Sequence, residues 1–570
     1  MKLFIIDGIG PFFRGYERRR INWSKIPFDN LEREGRLDTD RMQAVTADFR
    51  TFVERAAAMG FNAVSLDDLA HIALHPSYSP ATRQKIEDYR AAYARLFAIA
   101  AAAGMGVYLT TDMMFEHPDA DGQLQDLERQ VIPFLREAVR NAFARYPALA
   151  GIIVRIGECD GKDVQVDFRS RLVVQEPGQA RKLLRELLPV FEQYERHLVF
   201  RTWTVGAYRI GDLIWNRRTF DAVFRGLDSS SLVISMKYGE TDYFRYLPLN
   251  PLFFRSKHQK IVELQTRREY EGFGEYPSFV GWEYENYARE LAGARNMLGA
   301  MVWCQTGGWS GFRRRTLLDE SGVWNEINTY VTVTILRYGS TTEQAVERYC
   351  REHMGEVQWD RLLVLLRLSD EVVRELLYID EFARRKLFFR RVRIPPLLSV
   401  FWDHVIITHS MRKLLRCFVM DGEGKIAQGY TALRKLRAMR QLAQGLPLPE
   451  RDLEFQYDTF EVLAAAREYY FAPFSRDIVE RLQSMKRAYA DKYESRYHVV
   501  LDFSRFTMPR SRLRFMLGLG VRRKRGYRLI DQLVIIRLLS IISPILRISQ
   551  RRFMPDFAQQ QAMGIETLLK

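Results

Sequence analysis

The stretch LVISMKYG at residues 232–239 decides the fold. Four of its first five residues are apolar without alternation, and its first charge, Lys237, comes near the C-terminal end. A strand that is apolar on both faces must be covered on both faces, as in a parallel sheet flanked by helices. Outward in both directions, runs of the same kind recur: LFIID (3–7), NAVSLDD (62–68), GVYLTTD (106–112), GIIVRIGE (151–158), LVFRTW (198–203), KIVELQT (260–266) and GAMVWCQTGG (299–308). Amphipathic stretches separate them, among them TDRMQAVTADFRTFVERAAAMG, QARKLLRELLPVFEQYERH and NYARELAGARNMLG. Several close on Gly just before the next strand, as helix C-termini do. Eight strand–helix units in about 310 residues predict a (β/α)8 barrel over 1–335. The competing arrangement, an open doubly wound sheet, would carry a Gly-rich phosphate turn after an early strand. DGIGPFFRG lacks that spacing.

Beyond residue 335 the pattern changes. From TTEQAVERYCREHMG (341–355) to DTFEVLAAAREYYFAPFSRDIVERLQSMKRAYADKY (458–493) the periodicity is helical with almost no strand signal, predicting an all-α domain over 336–500 and a basic tail over 501–570. Of the 570 residues, 47% are hydrophobic and 27% charged, which excludes a disordered or fibrous chain. The net charge is +16, and the segment from Arg505 to Arg552 holds thirteen Lys and Arg against one acid, Asp531. The excess therefore belongs to the tail. Its apolar run LIDQLVIIRLLSIISPIL (529–546) is interrupted by Asp531, Arg537 and Pro544 and flanked by basic clusters, which predicts a helix lying on an anionic membrane surface. Packing on the helical domain or at a homodimer interface is the alternative. Nucleic acid fits least, because few aromatics interleave the charges.

Cys159, Cys304, Cys350 and Cys417 are scattered without a CxxC pair, and the nine His show neither HxH nor HExxH spacing. No disulfide framework, metal or cofactor is expected, and a reducing, cytoplasmic compartment fits, with the tail allowing a peripheral place at the inner face of a membrane. MKLFIIDGIGPFF reads as a strand rather than a signal peptide, and no uncharged run of about 20 apolar residues suggests a spanning helix.

A barrel carries its reactive groups at the C-terminal ends of its strands. Those ends hold Asp67 with Asp68, Asp112, Arg155 with Glu158, Arg201 with Trp203, Lys237 with Asp242, Glu263, then Gln305 and Trp309. Carboxylates across a cavity with aromatic walls are what glycosidic cleavage requires: one protonated acid for the leaving oxygen and one ionised carboxylate for water or the sugar.

The segment ISMKYGETDYFRYLPLNPLFFRSKHQKIVELQTRREYEGFGEYPSFVGWEYENYAREL (234–291) resembles the central region of the glycoside hydrolase family 67 α-glucuronidases. IIVRIGE resembles that family's strand ending in the general acid, VFRTW its Arg-bearing fifth strand, and GAMVWCQTGGWSG its last strand and following Trp loop. The resemblance spans roughly 50–360. It implies Glu158 as general acid, and Asp242 and Glu263 as the carboxylates that activate water in an inverting reaction. It further implies Arg201 and Lys237 as cationic contacts to a uronic acid, and Trp309 as an aromatic wall. Arg155, Trp203, Gln305, Asp67 and Asp112 complete the expected substrate set. With its first strand read at 3–7 the chain is expected to depart from the family in its N-terminal β-sandwich, and it reads Glu158-Cys159-Asp160-Gly161-Lys162 where the family has Glu-Gly-Gln-Pro-Gly. A non-catalytic barrel that binds glycan, or that scaffolds an assembly at a membrane, is the competing function.

Overall fold

The structure is a computed structural model, and it describes residues 1–16, 26–156, 167–204, 206, 208–305, 312, 314–355, 358–389, 391–393, 395–397, 399–503, 521 and 522. Eight parallel strands close into a barrel: β1 (Leu3–Asp7), β2 (Ala63–Asp67), β3 (Gly106–Asp112), β4 (Leu149–Arg155), β5 (His197–Arg201), β6 (Leu232–Lys237), β7 (Gln259–Gln265) and β8 (Met297–Trp303). Closure pairs β1 with β8, Leu3 opposite Gly299 and Ile6 opposite Val302, and excludes the open sheet. Gly299 is dictated by that seam: a Cβ there would stand 1.7 Å from the Leu3 carbonyl oxygen. NMLG therefore opens a strand and does not close a helix, contrary to the sequence expectation, because the backbone of β1 occupies the space any side chain would need.

The outer layer is α1 (Thr39–Met59), α2 (Pro80–Ala102), α3 (Ile132–Arg145), α4 (Pro177–Gln193), α5 (Arg217–Phe224), α6 (Gly281–Leu291) and α7 (Val323–Tyr338), with only the short turn of helix Leu252–Arg255 between β6 and β7. Local sequence sets their ends. Asp38 accepts from the amides of Asp40 and Arg41 at 3.1 Å to start α1, and Gly60 at φ 111° stops it. Ser79 caps α2 ahead of Pro80.

The expected boundary at 335/336 falls within the last turn of α7. The C-terminal helices are α8 (Thr342–His353), α9 (Trp359–Val372), α10 (His409–Phe418), α11 (Gly422–Ala443), α12 (Glu450–Phe471) and α13 (Arg476–Lys492). The region is mostly helical but not all-α. Val400–Phe401 pairs with His404–Thr408, which runs parallel to His498–Asp502. Lys386–Phe389 pairs with Val392–Arg393 and with Val521–Arg522. The strand signal in VFWDHVIIT (400–408) is short and ends directly in a helix, so helical periodicity on both sides hides it.

Barrel and C-terminal region share buried contacts. Arg245, fully buried after β6, donates to Glu271 at 3.1–3.2 Å, to Glu283 at 3.1 Å and to Asp370 of α9 at 2.6 Å, and Tyr378 donates to Glu271 at 2.7 Å. Among the described residues no helix is long and apolar enough to cross a membrane. The apolar run at 529–546 and the remainder of the 505–552 segment, except Val521 and Arg522, lie outside the described residues.

Candidate active site

Two clusters of charge stand at the C-terminal ends of the strands. On the β2–β4 side, Arg155 is 1% exposed and joins two acids: its Nε lies 2.9 Å from Asp112 Oδ1, and its Nη2 donates to Asp67 Oδ2 at 3.4 Å. Ser170 also donates to Asp112. The neighbouring Asp68 faces His71, 2.7 Å away, and not the barrel axis group.

On the β5–β8 side, Glu263 is fully buried at the end of β7. Arg201 of β5 grips it with two hydrogen bonds, Nε to Oε1 at 3.0 Å and Nη2 to Oε2 at 2.9 Å. Ser235 donates to Oε1 at 2.6 Å, and Tyr243 and Trp303 donate to Oε2 at 3.0 and 3.1 Å. Burial alone would raise its pKa, but the charge and hydrogen bonds of Arg201 win, and Glu263 is held down at about 2. Two carboxylate oxygens offer about four lone-pair positions. Five hydrogen bonds from four residues reach them, so Glu263 also anchors Arg201, Ser235, Tyr243 and Trp303.

Asp242 follows β6 by a short turn, and its position is fixed by three donors: Lys237 Nζ at 2.7 Å and the Tyr243 amide at 3.0 Å on Oδ1, and Tyr270 hydroxyl at 2.9 Å on Oδ2. Lys237 lies between two aromatic faces, 3.8 Å from the ring centroid of Trp203 and 4.6 Å from that of Tyr243. Only one of the three ammonium protons of Lys237 is given to Asp242, and the cation–π contacts stabilise its charge where water is scarce. Lys237, Asp242 and Trp203 are thus brought together as the strand ends suggested.

Gln305 turns away from this cluster. Its amide oxygen accepts from the Thr316 amide at 3.2 Å, while its own backbone N–H donates to Asp7. Asp7, buried at the end of β1, is pushed up to about 8 by desolvation despite the amides of Cys304 and Gln305. Cys304 is buried against it. Glu158 and Trp309, the expected acid and aromatic wall, lie outside the described residues, as does Cys159.

Sequence reading passed over Tyr243, Tyr270, Glu269 and Trp402. Tyr270 stacks on Phe244 with ring centroids 4.4 Å apart, and its hydroxyl is also met by the Trp402 side chain from the C-terminal region. Glu269, one residue earlier, is buried. Its backbone N–H donates to Gln265 Oε1 at 2.9 Å, and its carboxyl receives one long bond, from Gln265 Nε2 at 3.4 Å. Desolvation, and then the negative charge of Asp242, push it up to about 8. A usable signal was present in REYEG (268–272): an acid in the loop after a barrel strand, beside a tyrosine. Among the described residues no group of three or more His, Cys, Asp and Glu side chains is placed to hold a metal ion.

No protein-family model matches the chain, and no curated protein matches it. Among solved structures, a GH138 enzyme targeting pectin rhamnogalacturonan II is similar with a TM-score of 0.51 and 10% identity, over 87% of this chain and 62% of that one. The likeness is one of fold, a (β/α)8 barrel followed by a mostly helical region. This barrel and its C-terminal region span less than two thirds of that enzyme's length. A second glycoside hydrolase, CpGH84B, is similar with a TM-score of 0.39 and 10% identity, over 79% of this chain and 69% of that one.

Proposed function

We propose that the protein is a glycoside hydrolase of α-glucuronidase type, inverting, and acting on uronic-acid-containing or related oligosaccharides. The observation that carries this reading is the Lys237–Asp242 pair between Trp203 and Tyr243. It sets a carboxyl group, a Lys with protons to spare and aromatic faces side by side at the mouth of a barrel of glycoside hydrolase type. A pectin-directed enzyme among the structural neighbours favours a glycan substrate.

In this reading Asp242 takes the proton of the attacking water, and the three donors that hold it keep its lone pairs aimed. Lys237 meets the carboxylate of a uronic acid, an interaction strengthened where water is excluded. Trp203 gives the sugar an apolar face. Glu263, through Arg201, Tyr243 and Trp303, keeps this side of the mouth rigid. Arg155 positions Asp67 and Asp112 for sugar hydroxyls across from it. Glu158 on the loop after β4 is the general acid implied by the resemblance to family 67, and Trp309 the wall of the adjoining sugar.

The test is hydrolysis of a panel of α-linked glucuronides and neutral α-glycosides by wild type, Asp242→Asn and Glu158→Gln, with the first-formed anomer read by proton NMR. Turnover of uronides with inverted product, lost in Asp242→Asn, is the expected result. No turnover of any glycoside would move the protein to the glycan-binding reading. Barrel, C-terminal region and tail are read as one enzyme whose segment 505–552 meets an anionic membrane surface or a second copy of the chain. Flotation with anionic and neutral vesicles, for the full chain and a chain ending after Phe503, tests that: equal flotation of the two chains removes the membrane contact.

A further inference from the structure

Away from the charge clusters of the mouth, the loop after β7 meets α12 and the end of α13 around a cavity of about 860 Å³. That volume lies within the range of about 300–1,000 Å³ usual for small-ligand sites. Glu275, 1% exposed, stands in its wall. Arg314 and Arg496 both meet Oε2 of this carboxyl, the first at 3.1 Å, and among the described residues no donor reaches Oε1. A buried carboxyl oxygen without a donor costs free energy until a partner supplies one. Burial pushes the Glu275 carboxyl up against the pull of Arg314 and Arg496. Asp452 beside it is satisfied, by Arg314 at 2.6 and 2.7 Å and by the Trp324 indole N–H at 2.9 Å. Phe455 gives the wall an apolar face, held edge-on to Tyr493 with centroids 5.0 Å apart and stacked on Tyr497 at 6.0 Å. The charges are mixed: Glu275, Asp452, Asp491 and Glu494 against Arg451, Lys492 and Arg496. Lys492 is already paired with Glu454 and Asp458 at 2.7 Å. Such a wall favours neither a simple anion nor a simple cation. It suits a ligand that donates and accepts along its length and has an apolar face.

We infer that this cavity is a second glycan-binding site, which holds a segment of oligosaccharide away from the bond being cleaved. The choice of ligand class rests on the glycan reading of the mouth; the site itself rests on the cavity and on Glu275. Each sugar hydroxyl both donates and accepts, and the C–H face of a pyranose ring packs on aromatic side chains. A hydroxyl donating to Glu275 Oε1 supplies the bond that oxygen lacks. Arg451, whose side chain is 72% exposed, closes over the ligand and donates to hydroxyl or ring oxygens. Phe455 and Tyr493 take the C–H face, and the Tyr493 ring is fixed by its hydroxyl, which donates to Asp458 at 2.8 Å. The site does no chemistry. Its loop also carries Tyr270, the donor to Asp242, so one segment of chain borders both the mouth and the place where a longer glycan is held.

Hydrogen-exchange mass spectrometry on the full-length protein tests it, with an oligogalacturonide, a xylo-oligosaccharide and free glutamate as probes. At least one of the two sugars is expected to protect the amides of 451–456 and 491–498. Ser495→Trp fills the cavity from an exposed position, and Arg451→Ala removes an exposed side chain, so both should fold with an unchanged urea midpoint. Ser495→Trp is expected to weaken the protection at least about tenfold in Kd, about 1.4 kcal/mol, and Arg451→Ala to weaken it less. No protection there by either sugar overturns the inference. So does protection by glutamate alone, or protection that both variants leave unchanged. The mouth is read in the same samples through 237–243 and through hydrolysis. Protection at 491–498 with no hydrolysis of any glycoside fails the glycosidase reading and leaves the second site standing, whereas hydrolysis without protection at 491–498 does the reverse.

Discussion

The loop after β7 feeds two buried charge clusters of opposite character. Glu271 sits in a knot: Arg245 and Arg268 both pair with it, at 3.1 and 2.5 Å, while Ser278 and Tyr378 add hydroxyl donors at 2.5 and 2.7 Å. Its pKa is driven well below the usual carboxylate range, because the coulombic pull of Arg245 and Arg268 overcomes burial. Glu269, two residues earlier and also buried, has one long bond and is raised to about 8. Burial is common to both, so burial does not decide the difference; the neighbouring charges do, Arg245 and Arg268 at Glu271 and Asp242 at Glu269. The saturated cluster fastens the barrel to the C-terminal region, and the unsaturated one lies beside Asp242.

Breaking the mouth should show first in rate. Asp242→Asn leaves Lys237 and Tyr270 without their acceptor's charge, and kcat/KM on a uronide substrate is expected to fall about 10²–10⁴-fold with the urea midpoint little changed. Breaking the knot should show in stability. Arg245→Met strands Glu271, Glu283 and Asp370 with fewer counter-charges and is expected to cost about 3–5 kcal/mol in urea unfolding, while activity per folded molecule survives.

The pH response sharpens the contrast, because the two kinds of carboxyl carry opposite signs. Glu263 has its folded value lowered from 4.5 to about 2, so its stabilisation is present above about pH 5 and is lost as pH falls toward 2. Glu269 has its folded value raised from 4.5 to about 8. The folded state then holds a proton that the unfolded state has released, and stability falls as pH rises between those values. Thermal melts of Glu269→Gln across that window should fall less steeply than wild type, and adding Asp7→Asn should flatten them further. The smallest effect is expected from Trp203→Ala, which removes one aromatic face from Lys237. A loss of about 0.5–2 kcal/mol, read as a rise in KM for a charged substrate and not for a neutral one, is expected.

The barrel was legible because parallel strands covered on both faces must be apolar throughout, and eight such runs left little choice of architecture. Lys237 and Asp242 were legible for the same reason: a strand that ends in charge after an apolar run announces which end faces solvent. Glu269 was passed over, since RREYEG also reads locally as a solvated loop with its own counter-ions. Only the fold shows that Arg267 donates to backbone carbonyl oxygens and Arg268 to Glu271, so that neither is hydrogen-bonded to Glu269. The strand end marked Glu263, but its hydrogen-bond partners were not legible, because Ser235, Tyr243 and Trp303 come to it from three separate stretches of chain. The strand pairs at 386–408 escaped notice because each local pair is only a few residues long and is completed by a partner distant in sequence, at 521–522 or 498–502.

Tyr270 holds Asp242 and is itself met by Trp402, while Arg245 and Glu271 wait for Asp370 and Tyr378. Synthesis therefore runs ahead of function in this molecule. A nascent chain that has delivered β8 has every strand needed to close its barrel, but the tyrosine beside Asp242 still lacks its indole neighbour and the Arg245 knot is missing an aspartate and a phenol. The mouth acquires its final electrostatics only after α9 and the strands beyond it have docked, so competence arrives with the last third of the polypeptide and not with the completion of the barrel.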